Sequence, residues 1–144
     1  MRYALLICND ENAVISPAEQ SRRAAAFTSF REEMEGRGVL LGSARLRPTA
    51  SSTTVQVRDG DRVIADGPFA ATEEQIAGFY LIDCKDLDEA IEVATRIPAA
   101  RYGTVEVRPV WEMRQRDQPA MSDGSAPSGT SEGVHSAERH SSYE

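Results

Sequence analysis

Asp66, Arg45, Glu74, Tyr80 and Arg108 are the side chains whose types and positions could do chemistry in this chain. Asp66 opens the run Asp66-Gly67-Pro68-Phe69, where a carboxylate meets a tight turn. Two roles are open to it. Aspartate hydrogen-bonds its own following backbone and proline restricts the residue before it, so turn formation comes first. The other role is a carboxylate at the mouth of a cleft, where partial burial raises the pKa toward a value useful for proton transfer. Arg45 and Arg47 share one side of an extended segment, a spacing that suits anion binding by two guanidinium groups. Surface charge balancing an acidic chain is the plainer reading. Glu73 and Glu74 are adjacent, and adjacent positions on a helical turn diverge. They read as a solvated connector capped by Thr72 before they read as a paired-carboxylate site. Phe69 is expected as a core anchor ahead of a substrate platform, since phenylalanine is commonly buried. Tyr80 points opposite to Phe79, into a dimer interface or a pocket. Arg108 lies on the polar face of the last strand, to pair with Glu106 or a ligand. The candidate catalytic residue is therefore Asp66; the candidate substrate-binding residues are Arg45, Phe69, Glu74, Tyr80 and Arg108.

Other chemistries are excluded or unsupported. The only histidines are His135 and His140, and the two cysteines, Cys8 and Cys84, fit no metal spacing. No phosphate loop, nucleophile elbow, zinc motif or nucleotide fingerprint occurs, so neither metal nor cofactor is expected. Gly36-Arg37-Gly38 lacks a third glycine and sits at a helix end. The formal charge of −7 argues against nucleic acid and against an anionic membrane surface as partners. No apolar run approaches the ~18 residues that span a bilayer. The opening Met1 to Cys8 resembles a signal start, but Asn9-Asp10-Glu11 follows where a small-residue cleavage site belongs. It reads as a first strand, and the protein as cytoplasmic.

The elements that must position these side chains follow in order. Arg2 to Cys8 is a compact apolar run suited to a central strand. Ser16, Pro17 and Glu19 form a helix start with the residues of a capping box. The stripe Ala24, Phe27, Phe30 and Met34 gives that helix one buried face, with Glu19–Arg23 and Arg31–Glu35 as i,i+4 pairs and Gly36 and Gly38 as its end. Val39 to Leu46 is a second strand loosened by Gly42. Thr53 to Arg58 and Arg62 to Ala65 are the arms of a hairpin, turned by Asp59-Gly60, where both central residues need positive φ. Gly78 to Cys84 is the next strand. Asp86 and Glu89 then start a second helix with the stripe Leu87, Ala90, Ile91, Ala94 and Ile97, stopped by Pro98. Thr104 to Met113 alternates as a last strand whose proline suits an edge. From Arg114 on, periodicity is gone, and Gln115 to Glu144 reads as a disordered polar tail. The domains are thus 1–113 and 114–144.

This order predicts an α+β fold: the ferredoxin-like βαββαβ pattern with an inserted β-hairpin. Two helices cover one face of an antiparallel sheet. The other face, with Val105, Val107 and Trp111 to satisfy, calls for a second copy, because a large exposed apolar patch is disfavoured. Cys8 and Cys84 end antiparallel neighbouring strands and so lie at opposite ends of the sheet. A six-residue strand spans ~20 Å, beyond disulfide reach, so two free thiols are expected.

Asp66-Gly67-Pro68-Phe69, with Thr72, Glu74-Gln75, Gly78-Phe79-Tyr80-Leu81-Ile82, Asp86-Leu87-Asp88-Glu89-Ala90 and Val105-Glu106-Val107-Arg108-Pro109, resembles the DGPF-domain group of the YCII-related family, over Met1 to about Met113. The resemblance implies a bacterial protein forming a dimeric α+β barrel of ferredoxin-like protomers. It also implies an association with sigma factors, near whose genes some members lie. A histidine–aspartate pair is suggested for other branches; the absence of histidine between Met1 and Val134 makes it impossible here. Ala71 and Glu73 also stand where the group often has Glu and Lys. The expected function is small-molecule binding, or cofactor-free catalysis, in a cleft at the interface of a homodimer. The alternative is a non-enzymatic regulatory module with a sigma-factor-related partner. A cofactor-free monooxygenase rests on analogy of fold alone.

Overall fold

The computed structural model describes residues 1–112. Met1–Val110 form one unit, and a second begins at Trp111. The expected tail lies outside the described residues. The elements are β1 (Arg2–Asn9), α1 (Pro17–Arg37), β2 (Leu40–Arg45), β3 (Thr53–Arg58), β4 (Asp61–Asp66), β5 (Gln75–Asp83), α2 (Leu87–Arg96) and β6 (Thr104–Pro109). Short 3₁₀ turns stand at Thr49–Ser51 and Pro98–Arg101. The last strand stops at Pro109, short of the expected Met113, and β5 begins at Gln75 rather than Gly78.

Local rules account for the ends. The Ser16 hydroxyl accepts the Glu19 N–H at 3.1 Å, with Pro17 in the first turn, so α1 starts where its capping residues are. Gly36 stays helical, and Gly38 alone closes α1, at φ 69°. The Asp86 carboxylate accepts the Glu89 N–H at 3.0 Å, and the Glu89 carboxylate reaches back to the Lys85 N–H at 3.1 Å. Asp59 and Gly60 take φ 52° and 80°, which lets β3 and β4 join in a two-residue turn.

The strands β2-β5-β1-β6 form one sheet in that order, every neighbouring pair antiparallel. This mixed α+β arrangement is compatible with a ferredoxin-like fold. Strands β3 and β4 pair only with each other, as a separate two-stranded sheet. One face of the larger sheet presents Tyr3, Leu5 and Ile7 of β1 with Tyr80 and Ile82 of β5. Against them pack Phe30 and Met34 of α1 and Ala90, Val93, Ala94 and Ile97 from α2 and its end, making one core. Phe30 meets Tyr80 edge to face, ring centroids 5.1 Å apart at 67°.

Three packing expectations are corrected. Val105 and Val107 pair in register with Ile7 and Leu5 and so lie on the helix-covered face, packed against the core. They need no partner molecule. Ala24 is exposed, and the inward stripe of α1 is Arg23, Phe27, Phe30 and Met34, because the stem of Arg23 turns inward where the stripe begins. On α2, Leu87 and Ile91 are half exposed, at 49% and 48%, while Val93 is fully buried. The helix is rotated toward Val93. Facing charges then tie the helices: Arg37 Nη2 lies 2.9 Å from Glu92 Oε2, and Arg96 pairs with Glu33. No helix among the described residues is long and apolar enough to cross a membrane.

Candidate functional site

The six residues singled out by sequence do not converge. Tyr80 is buried, 5% exposed, between β1 and Phe30, and that burial raises its hydroxyl pKa. It lies on the helix-covered face, as does Ile82 two residues along β5. Arg108 is on the opposite face of the sheet and pairs with Glu106. Arg45 ends β2 opposite Gly78 and is exposed.

Asp66 ends β4, opposite Thr53, and is exposed. The bond that closes this base is a backbone one: the Gly67 N–H donates to Ser52 O at 2.8 Å, with Gly67 at φ 91°. The turn at Asp66 is thus carried by glycine, which alone takes that backbone region without strain. Phe69 is 84% exposed, which corrects the expectation of a core anchor. It sits in the irregular stretch between β4 and β5, where no sheet face is available to receive it.

A grouping that spacing did not suggest appears at the open face of the sheet. Alternation sends Arg2, Ala4, Leu6 and Cys8 of β1 away from the helices. Their register partners are Asp83, Leu81, Phe79 and, past a bulge, Ile76 on β5, and Arg108, Glu106 and Thr104 on β6. Ala44 of β2 lies beside Phe79. The result is an apolar band of Ala4, Leu6, Ala44, Phe79 and Leu81, bordered by Thr104, Glu106 and Arg108. At its end the Cys8 thiol is held above its usual pKa, first by burial and then by the negative charges of Glu106 and Glu74. Glu74 immediately precedes β5 and is exposed. Both cysteines are free, and they stand at opposite ends of the antiparallel pair β1–β5. Cys8 could have been linked to Glu106 only through the β1–β6 register, which a single strand's sequence does not contain.

A thiol kept protonated beside two carboxylates is a poor nucleophile. No group of three or more His, Cys, Asp or Glu among the described residues could hold a metal ion. Shallow cavities of about 380 Å³ each lie elsewhere, one over α1 and the Pro98–Arg101 turn, the other between α2 and β6.

Two helices on one face of a four-stranded antiparallel sheet, with the other face partly apolar and not covered by a helix among the described residues, define a small α+β domain. Residues 1–114 match the YCII-related domain. The chain belongs to the YCII-related family. It is 40% identical over 114 residues to the uncharacterized protein R00369 of Rhizobium meliloti (strain 1021), a span covering 76% of this chain and 92% of that protein.

Proposed function

We propose that this chain is a member of the DGPF-domain group that works as a homodimer and binds a small molecule in a cleft at the dimer interface. The protomer is a ferredoxin-like unit with β3–β4 as an insertion, and two protomers form an α+β barrel. The observation that carries this reading is the open sheet face, where Leu6, Phe79 and Leu81 lie together with no helix among the described residues over them. Covering such a face removes apolar surface from water at ~25 cal/mol per Å², and a second copy offers a self-complementary cover. Arg108 and Glu106 at its border supply polar groups to orient a ligand. Free thiols support a cytoplasmic setting.

Light scattering of the purified chain tests the dimer. A thermal-shift screen of small apolar acids and amides, repeated on Leu6→Ser, tests the cleft. Stabilisation by a compound that Leu6→Ser abolishes supports the reading, and no stabilisation by any compound overturns it. A regulatory role beside a sigma-factor-related partner is the second reading, favoured by the charge of −7, which suits a basic partner segment.

A further inference from the structure

The cavity over α1 and the Pro98–Arg101 turn gathers Glu19, Arg22, Arg23, Ala26, Pro98, Arg101 and Tyr102. Three guanidinium groups and one carboxylate leave a local surplus of two positive charges, on a chain whose net charge is −7. The arrangement is partly rigid. Arg23 Cζ lies over the Tyr102 ring, 3.6 Å from its centroid, and the Arg23 Nε donates to Glu19 Oε1 at 3.1 Å. Arg22 donates from Nε to the other oxygen, Glu19 Oε2, at 3.0 Å. The single carboxylate is therefore shared, and it leaves the Nη groups of Arg23 and Nη1 of Arg22 without a partner from it. Arg101 is exposed and makes no ion pair among the described residues. Ala26 and the buried Pro98 give the cavity an apolar wall.

We propose that this cavity is a binding site for a small molecule carrying a phosphate dianion. Fixed guanidinium groups match phosphate oxygens in planar, paired hydrogen bonds, and Arg23 is already oriented by its stack and its ion pair. Two surplus charges match one phosphate dianion. The apolar wall is placed to receive the organic part of a phosphate ester. The site stands on the helical side of the sheet, so it is independent of the open-face cleft proposed above.

Isothermal titration of the full chain at low ionic strength, with pyrophosphate and succinate as probes, tests this. Pyrophosphate is expected to bind, and Arg101→Ala and Arg22→Ala are each expected to weaken it by about tenfold or more, the loss of a charge-assisted bond. Arg62→Ala, on the exposed β4, is the control and is expected to leave binding unchanged. Arg101 is solvent-facing, so its variant keeps the fold, checked by circular dichroism. Absence of pyrophosphate binding by the wild type, equal weakening by Arg62→Ala, or succinate binding as tightly as pyrophosphate would each overturn the proposal.

Discussion

Cys8 shows how a neighbour across a strand pair changes a side chain's chemistry. Glu106 on β6 is the register partner of Leu6, on the same face as Cys8, and its charge opposes a second negative charge on the sulfur. The thiol thus carries less thiolate at neutral pH than an ordinary cysteine. Peptide-resolved iodoacetamide labelling at pH 7.5 is expected to find Cys8 slow. Glu106→Gln should speed it by roughly two- to fivefold, the effect of one partly screened charge; an unchanged rate would remove Glu106 and leave burial and Glu74 as the causes. Gly103 is set by sterics instead. A Cβ there would come 2.2 Å from the Cys8 carbonyl oxygen and 3.1 Å from the Asn9 Cβ. Gly103→Ala therefore has to move the end of β1, and its expected cost is on the order of 1–3 kcal/mol. A urea midpoint equal to wild type would contradict the close approach.

At the level of elements, legibility follows the range of the interaction. The caps at Ser16 and Asp86 and the Asp59-Gly60 turn were readable because each involves residues within a few positions of one another. The two free thiols were readable because the ferredoxin-like topology makes β1 and β5 antiparallel neighbours. The buried face of β6 was not. Alternation separates Val105 and Val107 from Glu106 and Arg108, but only pairing with Leu5 and Ile7 decides which set meets the helices. Of the candidate site, Tyr80 and Phe69 went to opposite fates for the same reason: residue type does not say which surface the sheet offers.

The same long-range pairing joins α1 to α2 through Arg37–Glu92 and Glu33–Arg96. Hydrogen bonds from Arg37 and then Arg96 hold the Glu92 carboxyl below its usual pKa, and those from Arg22 and Arg23 do so for Glu19. A carboxyl whose folded pKa is lowered contributes stability above its unfolded value, about 4.3 for glutamate, and loses that contribution as pH falls through the folded value. Urea midpoints are expected to hold from pH 7 to 5 and to drop below pH 4. Glu92→Gln should make that drop shallower by a modest amount, because the pair faces solvent. An identical acid profile for the variant would remove these pairs from the account.

At the scale of the molecule, two apolar surfaces remain among the described residues after the core is closed. One is the open sheet face around Leu6, Phe79 and Leu81. The other is the β3–β4 sheet, where Val55, Val57 and Ile64 share a face and are 60%, 61% and 54% exposed. A lone two-stranded sheet is marginal in water, so this segment gains most from a cover. In the proposed homodimer the sheet faces oppose each other, and every side chain at the contact is used twice. Phe79 is 37% exposed in the single chain, so Phe79→Asp costs the protomer little. In the dimer it buries two carboxylates without partners, a penalty of ~3 kcal/mol or more, about a hundredfold in dissociation constant. Light scattering is expected to give about twice the 15.8 kDa chain mass for the wild type and the single mass for Phe79→Asp at micromolar concentration. The circular dichroism of the two should agree. A wild type that is monomeric would end the interface-cleft reading. A dimer that survives both Phe79→Asp and Leu6→Asp would move the contact off this face, leaving the exposed valines and isoleucine of β3–β4 as the surface that joins the copies.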